Sequence, residues 1–146
     1  MGDGVSPEIR RLLDERRIVQ SRASREMIMK ELQGAKYDLE KARGSLKTGD
    51  FKWATIQAYY AMFHAARALL YSRGFREKSH RALLVALEEL FVRTGKLDRS
   101  SFDAFRNAMD LREEADYGMV FSKSSAERVV ENAENFLDRI QMILGA

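Results

Sequence analysis

Three features are scarce or missing in this chain, and each one excludes a class of protein. The 146 residues include no cysteine, so a disulfide framework, a thiolate zinc site and a thiol nucleophile are excluded. A single proline and few alternating runs of β-branched residues argue against strands. No apolar run approaches the roughly 18 to 20 residues that cross a bilayer, and the first residues show no charged-then-apolar leader. We therefore expect a cytoplasmic protein without a membrane partner.

Histidine and glycine-rich motifs are equally sparse. The chain has two histidines, His64 and His80, and neither stands at the helical spacing of a zinc or di-iron site. The short run Gly2-Asp3-Gly4 lacks the preceding strand that a phosphate-binding loop requires. We therefore expect neither a metal ion nor another cofactor.

What the sequence does contain is a series of periodic segments rich in Ala, Leu, Glu, Lys and Arg, which predict an all-α fold. Its length suits one domain that needs no covalent staple. Connections of roughly two to eight residues predict an antiparallel up-and-down bundle of about five helices. We expect residues 1–25 to form a polar extension, with a frayed helix from 6 to about 20, and residues 26–146 to form the bundle. The predicted helices are 27–46, 51–72, one capped by Ser79 that ends at Thr94-Gly95, one from Ser100 to Gly118, and one capped by Ser124.

The predicted helix 51–72 is the most informative segment because it is apolar almost all round, which is typical of a helix at the centre of a bundle. We expect Tyr59, Tyr60 and Phe63 to be core residues. Polar side chains nevertheless recur on one face of this helix, at steps of three and four residues: Gln57, Tyr60, His64, Arg67 and Tyr71. Such groups need partners. They are either satisfied at a helix or dimer contact, or they face a ligand.

A second feature is a cluster of cationic residues around the connection that follows this helix. The net charge of +3 alone says little about partners, but the local excess is clear, with Glu77 as the one acid in the segment. The cluster is either a solvated loop or a surface that binds phosphate groups of a nucleotide or RNA. Its members are Arg67, Arg73, Arg76, Lys78, His80 and Arg81.

The fourth predicted helix ends in the motif Arg112-Glu-Glu-Ala-Asp-Tyr117, followed by Gly118. Together with the central helix, Gly74 and Ser79-His80, this motif resembles the HEPN superfamily, in particular its small stand-alone prokaryotic branch, over residues 27 to 145. The resemblance implies a helical bundle that forms homodimers and works beside a minimal nucleotidyltransferase in a toxin–antitoxin pair. Many members are metal-independent ribonucleases that pair an arginine with a histidine four to six residues later.

The chain departs from that ribonuclease pattern at one position. Arg112 is kept, but Tyr117 stands where the histidine would be, and a phenol with a pKa near 10 is a poor base compared with imidazole near 6.5. In some members a tyrosine two residues beyond the histidine accepts a nucleotidyl group, and Met119 occupies that position here. The chain therefore lacks a tyrosine at the position that accepts the nucleotidyl group, although Tyr117 lies two residues before that position.

Two functions remain open from the sequence. The first is a dimeric module without the usual ribonuclease activity, in which Arg112 binds phosphate with help from Arg67, His64 and His80. Its ligand is a nucleotide, RNA or a nucleotidyltransferase partner. The second is a metal-independent ribonuclease that combines Arg112 with a displaced base such as His64 or His80, so that Arg112, His64 and Tyr117 are the candidate catalytic residues. A structural alternative for Arg112 is an ion pair with Asp116 or with a carboxylate of a neighbouring helix.

Overall fold

The computed structural model describes the backbone of residues 5–116 and 121–146, and the side chains of 5–114 and 121–146. Within these ranges the fold is all-α, as predicted, with a small two-stranded sheet added. The elements in chain order are α1 (Pro7–Asp14), β1 (Ile18–Gln20), α2 (Arg25–Lys47), α3 (Phe51–Ser72), β2 (Phe75–Glu77), α4 (His80–Leu87) with a π-helical turn (Glu88–Val92), α5 (Arg99–Asp116) and α6 (Lys123–Leu144).

The N-terminal segment is more ordered than its polarity predicted. The prediction of a frayed helix over residues 6–20 is wrong, because α1 ends at Asp14. The chain then forms β1, which pairs antiparallel with β2. The reason is hydrophobic: Ile9 and Ile18 are fully buried, and both belong to the main core. Backbone bonds from Lys78 to Arg17 and from Ser21 to Gly74 complete the attachment. The division into 1–25 and 26–146 stays a prediction.

Several predicted helix ends are confirmed by their hydrogen bonds. Asp50 caps α3 by accepting from the Trp53 amide at 3.3 Å, and Ser79 caps α4 by accepting from the Ala82 amide at 3.0 Å. Gly74 follows α3 with a φ of 84°, which favours glycine because a side chain would be strained there.

Two predicted caps are wrong, each by two residues. At the start of α5 the capping side chain is Asp98 rather than Ser100, and Asp98 accepts from the Ser101 amide at 2.9 Å. At the start of α6 it is Ser122 rather than Ser124, and Ser122 accepts from the Ser125 amide at 3.1 Å. Runs of polar capping residues at both places made the sequence ambiguous, because each of these side chains is a good N-cap.

Helix α3 lies at the centre of the bundle, packed against α2, α5 and α6. Tyr59 and Met62 are fully buried and Phe63 is nearly so, as the apolar pattern predicted. The prediction that Tyr60 is a core residue is wrong, because Tyr60 is half-buried. The prediction that Tyr71 continues the polar face is also wrong, because Tyr71 is buried.

The half-buried positions of α3 form a single line. Between residues 54 and 71 they are Gln57, Tyr60, His64 and Arg67, and Trp53 continues the line at the start of the helix with 52% of its surface exposed. Their spacing of three and four residues places them on one side of the helix. We call these five residues the α3 stripe.

Candidate functional site

The arginine of the sequence motif reaches the α3 stripe from α5. The Nη2 group of Arg112 donates to the Tyr60 hydroxyl at 3.1 Å. The guanidinium carbon lies 5.6 Å from the centre of the Tyr60 ring and 6.0 Å from that of Tyr59, so it rests beside two aromatic faces. Two helices distant in sequence thus place a cation at the edge of the stripe.

His80, the first residue of α4, joins the same group. Its Nδ1 lies 2.6 Å from the Tyr59 hydroxyl, and its ring stacks on Phe63 with centroids 4.4 Å apart. Burial, followed by the positive charge of Arg112, lowers the pKa of His80. Burial also raises the pKa of Tyr59, which therefore remains a neutral phenol. We call Arg112, Tyr59, Tyr60 and His80 the Arg112 pocket.

His64 has a different environment, dominated by carboxylates of α2. Its Nδ1 lies 2.7 Å from Glu31 and its Nε2 lies 3.4 Å from Asp38. Although burial raises the pKa of Glu31, the hydrogen bond to His64 and the charge of Arg67 outweigh it and hold that pKa below its usual value. Burial raises the pKa of Asp38. His64 therefore bridges two acids on the neighbouring helix.

Arg67 continues this ionic network to the small sheet. Its Nη2 lies 2.6 Å from Glu77 of β2, and its Nη1 lies 3.6 Å from Glu31 of α2. The guanidinium also lies over the Phe63 ring at 4.5 Å. Three elements are tied together through one side chain, and the second Glu77 oxygen, Oε1, is buried without a hydrogen-bond partner among the described residues.

The structure brings together part of the site that the sequence predicted. His64 and Arg67 were expected to help Arg112 bind phosphate, but Arg112 meets the stripe at Tyr60. The Gln57 amide hydrogen-bonds Ser45 of α2 at 2.7 Å. His64 is engaged by acids of α2 instead. Burial and the charge of Arg112 lower the pKa of His80, which therefore belongs to the Arg112 pocket.

The cationic cluster is spread over several surfaces. Arg81 lies 3.4 Å from Asp110 and 3.5 Å from Glu113, so α5 supplies its counter-charges. Arg73 packs over the ring of Phe91 at 5.9 Å. The two remaining residues, Arg76 on β2 and Lys78 directly after it, are exposed.

Parts of the predicted site lie outside the described residues. They are Tyr117, Gly118 and Met119, together with the side chain of Asp116. In the part of the chain that is described, no group of three acidic or histidine side chains is placed to hold a metal ion. Over the same residues, no helix combines the length and apolarity needed to cross a membrane.

The sequence reasoning missed the acids that hold the stripe. Glu31 and Asp38 are seven residues apart, two turns of α2, and so lie on the same face of that helix. This spacing was a readable signal. The partnership of Glu77 with Arg67 was not readable, because it depends on how β2 packs against α3.

Comparisons with known proteins agree with this architecture. The sequence profile of the HEPN domain matches residues 29–143. A UPF0332 protein of Archaeoglobus fulgidus is 35% identical over 103 residues, which cover 69% of this chain and 82% of that protein. A Methanocaldococcus jannaschii protein that carries the name "Putative toxin MJ0142" is 27% identical, with 88% of each chain covered.

Among solved structures, the crystal structure of TT1696 from Thermus thermophilus superposes with a TM-score of 0.67. It covers 80% of this chain and 97% of that one at 20% identity, which supports the fold alone. The fold is thus that of a small helical-bundle domain. The profile match, which spans most of the sequence, shows that the chain belongs to the HEPN domain family.

Proposed function

We propose that this chain is a dimeric HEPN-family module of a toxin–antitoxin-type pair, and that it binds a phosphate group of a nucleotide or RNA at the Arg112 pocket. The observation that carries the proposal is the placement of the Arg112 guanidinium at the edge of the α3 stripe, beside two tyrosine rings and His80. A planar guanidinium matches the oxygens of a phosphate. The module does not cut RNA by the family's Arg–His mechanism, because Tyr117 replaces the histidine.

The partner in this proposal is a minimal nucleotidyltransferase. Support comes from the relatives, since two Methanocaldococcus jannaschii proteins similar to this chain carry the names "Putative toxin MJ0142" and "Putative toxin MJ0605". Co-expression with a nucleotidyltransferase encoded next to this chain, followed by purification and light scattering, tests the pairing. A monomer that does not retain the partner contradicts this part of the proposal.

The phosphate site is tested by the anisotropy of labelled single-stranded RNA. We expect Arg112→Ala to weaken binding by about tenfold or more, since a charge-assisted hydrogen bond contributes about 1.5 to 3 kcal/mol. The matched control is Arg139→Ala, which removes the same charge from an exposed residue of α6 that pairs with Asp98 at the other end of α5. Equal losses in the two variants would indicate a diffuse charge effect and contradict a defined site.

A second candidate function is a metal-independent ribonuclease in which His80 acts as the displaced base. It is favoured by the position of His80, whose Nδ1 lies 2.6 Å from the hydroxyl of Tyr59, the ring beside which the Arg112 guanidinium also lies. A neutral imidazole there can accept the proton of a 2′-hydroxyl. The test is incubation of RNA with chelator present. Cleavage that is lost in both His80→Gln and Arg112→Ala, and kept in His64→Gln, supports this enzyme, whereas intact RNA with salt-sensitive binding supports the module.

A further inference from the structure

The small sheet carries a concentration of positive charge that the Arg112 pocket does not use. Residues 16–25, which contain β1, include four arginines and no acidic residue. Residues 73–78, which contain β2, add two arginines, one lysine and a single acid, Glu77. The side chain of Glu77 is only 4% exposed and is bonded to Arg67, so it does not offset the charge outside. The cations of the two segments are Arg16, Arg17, Arg22, Arg25, Arg73, Arg76 and Lys78.

The register of the sheet brings three of these cations onto one face. Arg76 lies opposite Val19, and Arg76 is exposed whereas both of its neighbours in β2 are buried, so it lies on the outer face. The backbone bond from the Lys78 amide to the Arg17 carbonyl, at 2.8 Å, continues the ladder by one pair. Residues two positions apart on a strand share a face. Arg17 and Lys78 therefore lie on the same outer face as Arg76.

These three cations are close to one another and have no counter-charge of their own. Arg17 and Lys78 are directly opposed, and Arg76 lies diagonally across from Arg17. Opposed Cβ atoms in a sheet are about 4.5 to 5.5 Å apart, and like charges at that position are destabilising. All three side chains are exposed, and none of them forms an ion pair among the described residues. An external anion relieves this repulsion, so the arrangement indicates an anion-binding surface.

Two more arginines flank the other end of the sheet. A backbone bond from the Ser21 amide to the Gly74 carbonyl, at 2.8 Å, closes the ladder there. A cleft of about 480 Å³ lies at this end, with Arg22 and Arg73 among its lining residues. Four residues separate the two closing pairs along each strand, or about 13 Å at roughly 3.3 Å per residue. Cations therefore lie at both ends of a surface about 13 Å long.

The composition of this surface distinguishes a nucleic-acid backbone from an acidic protein. Protein interfaces are centred on apolar and aromatic side chains with few charges, whereas nucleic-acid interfaces are strongly positive. None of the large apolar side chains that are exposed in the described part of the chain belongs to residues 16–25 or 73–78. Surfaces that bind single strands also provide aromatic faces for unpaired bases. Cations without aromatic faces fit a duplex, whose bases are already stacked and whose exterior presents phosphates.

We propose that the outer face of the β1–β2 sheet binds the phosphate backbone of a nucleic-acid duplex through Arg17, Arg76 and Lys78, with Arg22 and Arg73 at its far end. The surface goes beyond the proposed function, because it shares no residue with the Arg112 pocket. A duplex carries one charge per about 1.7 Å of its axis, so the phosphates along the sheet outnumber these five cations. The first strand precedes residue 29, where the match to the HEPN profile begins, so part of the surface lies outside that match.

The salt dependence of duplex binding tests this surface. RNA and DNA duplexes of equal length, each labelled, are titrated with the full chain, and anisotropy is measured between about 50 and 200 mM salt. Each phosphate contact adds about 0.9 to the slope of log affinity against log salt concentration, so Arg17→Gln with Arg76→Gln should lower that slope by about 1.8. The loss should be the same for unrelated duplex sequences, because phosphates carry no sequence information.

Arg43→Gln with Arg139→Gln is the matched control. It removes the same charge from two exposed residues that pair with Glu134 and Asp98 on other surfaces. The control should keep the slope of the unmodified protein, and an equal fall in both double variants overturns a defined surface. In urea without nucleic acid, Arg17→Gln should be at least as stable as the unmodified chain, since a repulsion is removed. A marked loss of stability would show that Arg17 already has a partner within the protein and would overturn the proposal.

The outcomes also separate this surface from the Arg112 pocket. Duplex binding that is lost in the Arg17 and Arg76 double variant and kept in Arg112→Ala supports the sheet surface. Single-stranded RNA binding that depends on Arg112, with no duplex binding at low salt, overturns the sheet surface and leaves the Arg112 pocket standing. Single strands that bind the sheet as tightly as a duplex, or polyglutamate that displaces the duplex, overturn the choice of ligand. Binding of only one of the RNA and DNA duplexes overturns recognition through phosphates alone.

Discussion

The two sides of α3 differ sharply in burial and in polarity. On one side, residues such as Tyr59 and Met62 are fully buried against other helices. On the other, the α3 stripe leaves Gln57, Tyr60, His64 and Arg67 half-buried, and each of them makes a hydrogen bond or ion pair. One helix thus serves both as the centre of the core and as the floor of the candidate site.

The difference teaches how the chain fixes polar groups beside an apolar core. His64 and Arg67 are bound by Glu31, and Arg67 is also bound by Glu77. These contacts replace the water that the polar groups lose, as burial of such groups requires. Arg112 and His80 are placed over aromatic rings instead, and the charge of Arg112 contributes to lowering the pKa of His80. His64 and Arg67 of the stripe therefore have structural partners, whereas Arg112 and His80 form the group to which we assign phosphate binding.

The largest effect is expected on the buried side. Replacing Phe63 by Ala should lower the free energy of unfolding by about 3 to 5 kcal/mol, because the ring is nearly enclosed and its removal leaves a cavity. Urea denaturation measures the loss. Trp53→Ala on the exposed side of the same helix is the control, with an expected change of about 0.5 kcal/mol or less. A loss below about 1 kcal/mol for Phe63→Ala would contradict its central position.

The next effect concerns the ionic half of the stripe. Arg67→Met should destabilise the fold by about 3 kcal/mol, because it leaves the buried carboxylate of Glu77 without its cation. Adding Glu77→Gln to Arg67→Met should restore part of the lost stability, since the buried charge is then removed as well. Chemical denaturation of the single and double variants gives the coupling. Additive losses would show that the pair is not coupled.

A smaller effect is expected at His64. Changing Glu31 to Gln removes one of its two acidic neighbours and should cost about 1 kcal/mol of stability near neutral pH, because the pair is partly exposed to solvent. Denaturation at low and high salt measures this value and its screening. Lys30→Gln, a substitution at the adjacent position of α2, is the control and should have little effect.

The smallest effect is a change in titration rather than in stability. The pKa of His80 should lie below about 6.5, its value in an unfolded chain, and should rise in Arg112→Gln because the nearby positive charge is removed. The folded state then binds fewer protons than the unfolded state between these two pKa values. Stability therefore falls as the pH drops from about 6.5 through the folded-state pKa.

Nuclear magnetic resonance of the imidazole signals follows this titration directly. His80→Gln identifies the His80 signal, and His64→Gln identifies the other one. An unchanged His80 pKa in Arg112→Gln would show that the two residues do not interact in solution, and would remove the electrostatic basis of the Arg112 pocket.

Much of this fold was predictable, and the failures have clear physical causes. The bounds 51–72 of α3 matched because Asp50 and Gly74 mark both ends by local chemistry. The N-terminal segment was mispredicted because the burial of Ile9 and Ile18 depends on distant residues that cover them. The caps of α5 and α6 were misplaced because Asp98 and Ser122 lie beside other residues that cap equally well.

The candidate site was also predictable where it depends on local spacing, and not where it depends on contacts between distant residues. Four members of the stripe were predicted from their spacing, namely Gln57, Tyr60, His64 and Arg67, whereas Trp53 was not. Arg112 was nominated from its motif, but the sequence did not show that Arg112 meets Tyr60 or that Tyr59 bonds His80. These contacts join residues 52 and 21 positions apart in the chain. Periodicity does not record the relative placement of α5, α4 and α3.

By itself the sequence determined the helical class, the central helix, the polar line along it and the loss of the histidine after Arg112, because each of these is written in local composition and spacing. Tertiary structure alone decided that His64 faces the acids of α2 and that His80 joins Tyr59, Tyr60 and Arg112 in one group. Those placements depend on how separate helices pack, and packing is set by the shape of the whole core rather than by any one segment.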